Sequence, residues 1–320
     1  MENNIFKNML KLSGSSSITQ ILGILVLPIL SRIYSPENFG IYALFFSISN
    51  ILLIIVMGQY HLAIVIPKDY EKSLSLFFLS ILFLSFMSII ILILLFLVNK
   101  LAPTISNLVI FSNLGLLFLL PIHIFISGLY LSLRYLNSRN NSFGNSAKSS
   151  VINSGITYFS QILLGTVFVN GIGLIYGSIF GSLIGTLFLL FVSIRFISIK
   201  SFSLTKVRKV MYEYKKFPLI TTLGTLIGGV AQQLPVILLS TLFGTLYSGF
   251  YSIANKAISI PSRIVATSIS EVSYKHTSSI IKDDKLLSNY IEKSTAAVFQ
   301  LLIIPFLIIL LFGKSLVIIF

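Results

Sequence analysis

The sequence predicts an all-α protein that crosses a membrane many times, and three observations carry that prediction. Hydrophobic residues make up 55% of the 320 and charged residues only 10%, with a mean hydropathy of +0.96, a balance that soluble domains do not show. The apolar residues gather into runs of about 20, the length a helix needs to cross a hydrocarbon core of about 30 Å. None of these runs alternates apolar and polar residues as the strand of a membrane barrel would. Backbone amides in lipid must then be satisfied within each helix.

Nine spans follow in order, at 12–33, 39–58, 74–98, 108–133, 150–170, 172–194, 217–243, 245–270 and 294–312. A tenth begins at Lys314 and the chain stops at Phe320, so the sequence looks cut short inside a helix. The first run follows a short polar head and lacks a small-residue cleavage pattern, which reads as a retained first helix. Cysteine is absent, removing disulfides, thiolate metal sites and a Cys nucleophile. The three histidines, His61, His123 and His276, are scattered. No carboxylate pair shares a helix face within the bilayer, so neither an enzyme active site, a metal site nor a cofactor is expected.

Orientation follows from the basic residues. With the N-terminus in the cytoplasm, only Arg32, Lys100 and Lys314 of the 23 Lys and Arg fall on the outer side, and Lys256 and Arg263 lie within a span. All the others fall at the cytoplasmic face, as the positive-inside rule requires. The net charge of +14 is therefore spread over loops that face anionic lipid headgroups, and nucleic acid is not an expected partner. The outer loops are short, too short for an enzyme working on the outer surface. The longest inner segment, RFISIKSFSLTKVRKVMYEYKKF at 195–217, divides six spans from the rest and reads as an interfacial basic helix. This gives a first lobe at 1–196, a basic cytoplasmic linker at 197–216 and an incomplete second lobe at 217–320.

A weak internal repeat agrees with that division: FGIYAL at 39–44 resembles SGFYSI at 248–253, with Pro28 and Pro235 upstream at similar distances. Two lobes with an even number of spans each would share one orientation. In the sixth span Gly173, Gly177, Gly181 and Gly185 recur every fourth residue, a stripe that lets two helix backbones approach closely. GIG at 171–173 lacks the strand and the Lys-Ser/Thr of a nucleotide loop and is not read as one.

The eighth span carries the candidate chemistry. Ser252, Lys256, Ser259, Arg263, Thr267 and Ser270 recur at spacings of 3 or 4, so they share one helix face. At 1.5 Å per residue Lys256 lies roughly 17 Å inside the membrane. A buried cation is expensive in lipid and faces a hydrated cavity or a partner instead. Arg263, nearer the cytoplasm, could instead snorkel to the headgroups. Other spans carry polar stripes, with Ser13, Ser16 and Gln20 in the first, Asn50 in the second, and Thr221, Thr225, Gln232 and Ser240 in the seventh. These could line one cationic cavity or simply join helices by hydrogen bonds. Pro28, Pro235 and Pro261 are expected to kink the same spans. A cationic cavity asks for an anionic ligand, and phosphate suits both Lys and Arg. His123 in the fourth span is a candidate for proton coupling, or a structural histidine.

LPILSRIYSPENFGIYAL at 27–44, YHLAIVIPKDYEKS at 60–73 and YKKFPL at 214–219 resemble the polysaccharide flippases, including the O-antigen flippases, of the MOP exporter superfamily. The resemblance implies a MATE-like fold of about twelve helices in two six-helix lobes around a central cavity, working by alternating access. It implies a bacterial plasma (inner) membrane protein that moves an undecaprenyl-pyrophosphate-linked oligosaccharide to the outer leaflet for O-antigen, capsule or exopolysaccharide synthesis. A glycan polymerase and chain-length proteins would be its partners. On this reading Lys256 and Arg263 hold pyrophosphate or acidic sugars, and Arg32 attracts the headgroup on its way out. Gln20, Asn50, Gln232 and Gln233 meet sugar hydroxyls, with Ser252 and Ser259 on the cavity face. A multidrug or cation antiporter of the same superfamily would be expected to show a buried carboxylate, and a membrane glycan polymerase or ligase a large outer loop. A purely structural membrane protein would not need the cationic stripe.

Overall fold

The computed structural model describes residues 2–101, 114–168, 171–198, 202–256, 258 and 292. Every regular element among them is helical. In chain order they are α1 (Glu2–Ile33), α2 (Pro36–Met57), the short α3 (Tyr60–Ala63), α4 (Tyr70–Leu101), the short α5 (Leu114–Leu117), α6 (Leu119–Arg139), α7 (Phe143–Val167), α8 (Ile172–Ser193), α9 (Leu204–Glu213), α10 (Thr222–Leu242) and α11 at 245–256. Six described helices are long and apolar enough to cross a membrane: Gly14–Ile33, Pro36–Met57, Tyr70–Val98, Leu119–Arg139, Ile172–Phe196 and Phe217–Leu242. The protein is a multi-pass membrane protein. The expected fifth span begins earlier, as α7; it is 25 residues long but rich in Ser and Asn at its start, and it is not one of the six. Half of the expected eighth span and all of the ninth and the tenth lie outside the described residues.

Local chemistry sets the helix ends. In SPEN, Ser35 accepts a hydrogen bond from the backbone N–H of Asn38, Pro36 opens α2, and Glu37 sits in its first turn, where the positive end of the helix dipole favours it. Gly58 closes α2 in the left-handed region at φ 50°, a conformation that costs glycine nothing. Chain continuity through Pro28 in α1 and Pro235 in α10 is kept.

The first six long helices pack as pairs. α7 lies between α1 and α8, and α6 between α4 and α8. The α7–α8 seam is the one the glycine stripe predicts. A Cβ on Gly181 would lie 2.0 Å from Thr157 Oγ1 and 2.6 Å from the Thr157 backbone nitrogen, and one on Gly177 2.8 Å from the Gln161 nitrogen. The Thr157 hydroxyl could turn aside, but the Thr157 and Gln161 nitrogens belong to backbone, so no rotamer change makes room. Gly181→Ala is expected to destabilise the protein by about 1–3 kcal/mol through overpacking, seen as a lower thermal unfolding midpoint in detergent; an unchanged midpoint would contradict the seam. Hydrogen bonds reinforce it, since Gln161 donates to the Leu174 carbonyl at 3.0 Å and to Ser178 Oγ at 2.9 Å, and Ser149 donates to the Gly185 carbonyl at 2.9 Å.

Residues 60–73 form a hub at one end of the bundle. Tyr60, Ala63, Ile64, Leu74, Leu76 and Phe77 are buried with Leu133, Leu136, Leu189, Val207 and Val210. Arg139 of α6 donates to the Lys68 carbonyl at 2.8 Å and to Ser73 Oγ at 3.1 Å. His61 lies in this hub beside Tyr135, its Nδ1 buried without a hydrogen-bond partner among the described residues. Burial lowers its pKa from 6.5 to about 4. The charged form is therefore penalised in the folded state, so the stability present above pH 6.5 falls as pH drops towards 4. The whole fall amounts to about 3 kcal/mol, and His61→Gln is expected to flatten the unfolding midpoint across this window. A wild-type pH slope in the variant would rule the assignment out.

The second part of the chain meets the first along α2. Gln233 of α10 accepts a hydrogen bond from Ser47 Oγ at 2.9 Å, and a Cβ on Gly229 would lie 2.4 Å from Ile54 Cδ1. Above these contacts α11 crosses the start of α2 backbone to backbone. A Cβ on Gly40 would fall 1.8 Å from the Thr245 carbonyl oxygen, and one on Gly249 1.7 Å from the Pro36 carbonyl oxygen and 3.1 Å from the Gly40 nitrogen. The contact is reciprocal: the shift in numbering that carries Gly40 onto Gly249 also carries Pro36 onto Thr245. These are the glycines of the FGIYAL and SGFYSI repeat, and they face each other.

Candidate functional site

The α2–α11 crossing brings Lys256 to an aromatic face. Gly40 and Gly249 remove the side chains that would hold the helices apart, and Lys256, two turns further along α11, lies half-buried against α2. Its Nζ is 4.8 Å from the Tyr42 ring centroid and 5.8 Å from that of Phe39, within cation–π range. Tyr42 is fixed in turn, because its hydroxyl lies 3.2 Å from Ser178 Oγ, the atom that also accepts from Gln161. Tyr34 donates to the Gln161 carbonyl at 2.8 Å. A polar chain thus runs from the α1–α2 turn through α7 and α8 to the ring beneath Lys256. Glu37 stands in the first turn of α2, and the sequence contains no Asp or Glu between Glu71 and Glu213. Both of those are engaged elsewhere, Glu71 with Lys206 at 2.6 Å and Glu213 with Lys72 at 3.1 Å.

The other expected site residues divide into three groups. Gln233 and Asn50 join Lys256 along α2: Asn50 is exposed and lies between Ser47 and Ile54, the two residues that meet α10. Ser252 is buried on α11 and donates to its own Gly249 carbonyl at 2.9 Å, so its proton serves the helix while its lone pairs stay available. Gln232 is exposed on α10. Gln20 and Arg32 belong to α1, whose principal neighbour is α7. Gln20 donates to Ser16 Oγ at 2.9 Å, leaving its Oε1 buried without a partner among the described residues, and Arg32 is exposed at the helix end. No described contact joins Gln20 or Arg32 to Lys256. Arg263 and Ser259 lie outside the described residues.

His123 is buried on α6 against α2, and the rings of Phe46 and Tyr42 stand between it and Lys256. Its Nδ1 is 2.6 Å from Ser49 Oγ, its Nε2 is 3.2 Å from Ser127 Oγ, and the rings of Phe45 and Phe46 stand edge-on at 6.0 and 4.7 Å. Each nitrogen has a hydroxyl that can donate or accept, so the ring is satisfied in either tautomer. Sequence reasoning missed Tyr42, Phe39 and Ser47. The signal available was position: Tyr42 stands two residues after the repeat glycine, where close helix approach delivers a neighbour.

A family model described as polysaccharide biosynthesis protein matches residues 29–320. The chain belongs to that family. The match begins just before SPENFG and takes in the hub, the linker helix and the α10–α11 segment, so Phe39, Tyr42 and Lys256 fall within the family's extent. A comparison with curated proteins found no match. Among solved structures the family member is similar to a multidrug resistance MATE transporter of the MOP superfamily in an outward-facing conformation, at 13% identity and TM-score 0.49, covering 94% of this chain and 77% of that one. It is similar to a MATE protein in complex with Br-NRF at 16% identity and TM-score 0.48, covering 92% and 74%. A MOP superfamily transporter from Pyrococcus furiosus, described as having reverse polarity of its binding pocket, aligns at 14% identity and TM-score 0.46, covering 84% and 72%.

Proposed function

We propose that this polysaccharide biosynthesis protein is a transporter, not an enzyme, that flips a lipid-linked oligosaccharide from the inner to the outer leaflet of a bacterial plasma membrane. The observation that carries the reading is Lys256, a cation held on the aromatic face of Tyr42 and Phe39 at the α2–α11 crossing. An undecaprenyl-pyrophosphate headgroup supplies the matching negative charge, and its sugars would meet Asn50, Gln232 and Gln233, with Ser252 on the same helix as Lys256 and Ser259 and Arg263 further along the sequence. The polyprenyl tail stays in lipid. The reciprocal Gly40–Gly249 contact supports two lobes, 1–196 and 217–320, joined by the linker at 197–216, that rock about their crossing. A cation antiporter lacks support here, since a cationic cargo would be repelled by Lys256.

The test is complementation. The full reading frame is expressed in a flippase-deficient bacterium that carries the cognate glycan pathway, and surface glycan is measured together with the lipid-linked intermediate. Restored glycan with cleared intermediate supports flipping, in O-antigen, capsule or exopolysaccharide synthesis; inserted protein that clears nothing overturns it. The same assay addresses energy coupling, for which His123 is the candidate. His123→Gln keeps hydrogen bonds to Ser49 and Ser127 within reach and is expected to leave the protein folded while removing the pH dependence of transport. A wild-type pH profile would eliminate proton coupling at this residue.

A further inference from the structure

We infer that the outer face of α9 is a binding surface for anionic phospholipid headgroups, with the helix held in place for that contact by α4. The sequence reads the whole 195–217 segment as a basic interfacial helix, but α9 has two faces with different tasks. One is docked: Val207 and Val210 are buried in the hub core with Tyr214 and Phe217 against it. Two ion pairs flank that face, Lys206–Glu71 at 2.6 Å and Lys72–Glu213 at 3.1 Å, crossing between the two helices. Phe202, just before the helix, meets the Phe78 ring of α4 at 5.2 Å.

The exposed side carries Leu204, Arg208 and Met211 along one edge with Tyr212 and Lys209 beyond them, and Lys215 and Lys216 follow directly. Leu204 is 68% exposed and Tyr212 59%. Arg208, Lys209, Lys215 and Lys216 are exposed and form no ion pair among the described residues. Glu213, the only acid between Glu71 and Glu271, is turned to Lys72. Apolar side chains standing in the open between unneutralised cations fit the boundary of an anionic bilayer, where the former enter the acyl edge and the latter meet phosphate. A soluble acidic partner would match the cations but leave Leu204 and Tyr212 without a counterpart. Because the docked face fixes the register of α9, this surface exists before lipid arrives, and its ordering need not be supplied by binding.

The absence of cysteine gives a clean probe. The full chain carrying Leu204→Cys, labelled with an environment-sensitive fluorophore, is placed in nanodiscs of phosphatidylcholine with or without phosphatidylglycerol. The label is expected to shift to the blue and to be quenched by lipids brominated near the headgroup, at least tenfold more strongly with phosphatidylglycerol at low salt. High salt, or the combined Arg208→Gln, Lys209→Gln, Lys215→Gln and Lys216→Gln changes, should abolish the difference. A second label at Thr205 in the otherwise native chain guards against misfolding of the charge variant. Labels that stay in water in both kinds of disc, or that respond equally to both, overturn the proposal; the first outcome would leave the face to a soluble partner.

Discussion

Gly249→Val is expected to lose most of its folded, monodisperse protein on extraction, with a thermal midpoint well below that of the wild type. The first side-chain carbon alone would sit 1.7 Å from the Pro36 carbonyl oxygen and 2.6 Å from its carbon. Both atoms are main chain, held by the Ser35 cap and the first turn of α2. Relief must come from moving whole helices, and α2 is tied to α8 through Asn38, whose Oδ1 accepts from the Gly171 backbone at 2.9 Å. Overpacking of a well-filled interior costs about 1–3 kcal/mol even when side chains can adjust; here they cannot, so the effect belongs at or above that range. Gly155→Ala in α7, where a Cβ meets nothing within 4 Å, is the control. Equal behaviour of the two variants would mean that α2 and α11 do not cross as described.

Lys256→Met should reduce glycan export at least tenfold while leaving expression and unfolding near wild type. Methionine keeps the length and the contact with Tyr42 but removes the charge. A charge-assisted hydrogen bond to phosphate is worth about 1.5–3 kcal/mol, which corresponds to roughly 10- to 150-fold in binding. Lys256→Arg should recover part of the loss, since a guanidinium also stacks on aromatic rings. Tyr42→Leu should have a smaller effect in the same direction, because it removes the platform and leaves the cation, whereas Tyr42→Phe should be close to wild type. Export that survives Lys256→Met unchanged would remove the main support for an anionic cargo.

Much of the architecture is written in features that act locally. Runs of apolar residues mark α1, α2, α4, α6, α8 and α10 because a helix is the way a backbone satisfies itself in lipid. The glycine stripe of α8 predicts its seam because the absence of a side chain has one physical consequence wherever it falls. The boundaries of α7 were less legible: its first turns, FGNSAKSS, are polar enough to resemble a loop, and only packing between α1 and α8 shows them as helix. The site is divided in the same way. Lys256 stands out by its charge, but its aromatic platform on α2 is more than 200 residues away in sequence, and no periodicity within either helix reveals that pairing. Gln20 and Arg32 show the converse limit, since a polar stripe on α1 says that something polar is near without saying which helix provides it.

The reciprocity at Gly40 and Gly249 has a consequence for how the protein assembles. A patch in which the first residue touches the partner of the second, and the second the partner of the first, is the contact by which identical subunits form a two-fold dimer. Here α2 and α11 meet in that manner within one polypeptide, so their encounter is governed by an effective concentration fixed by the intervening chain and is independent of how much protein the membrane contains.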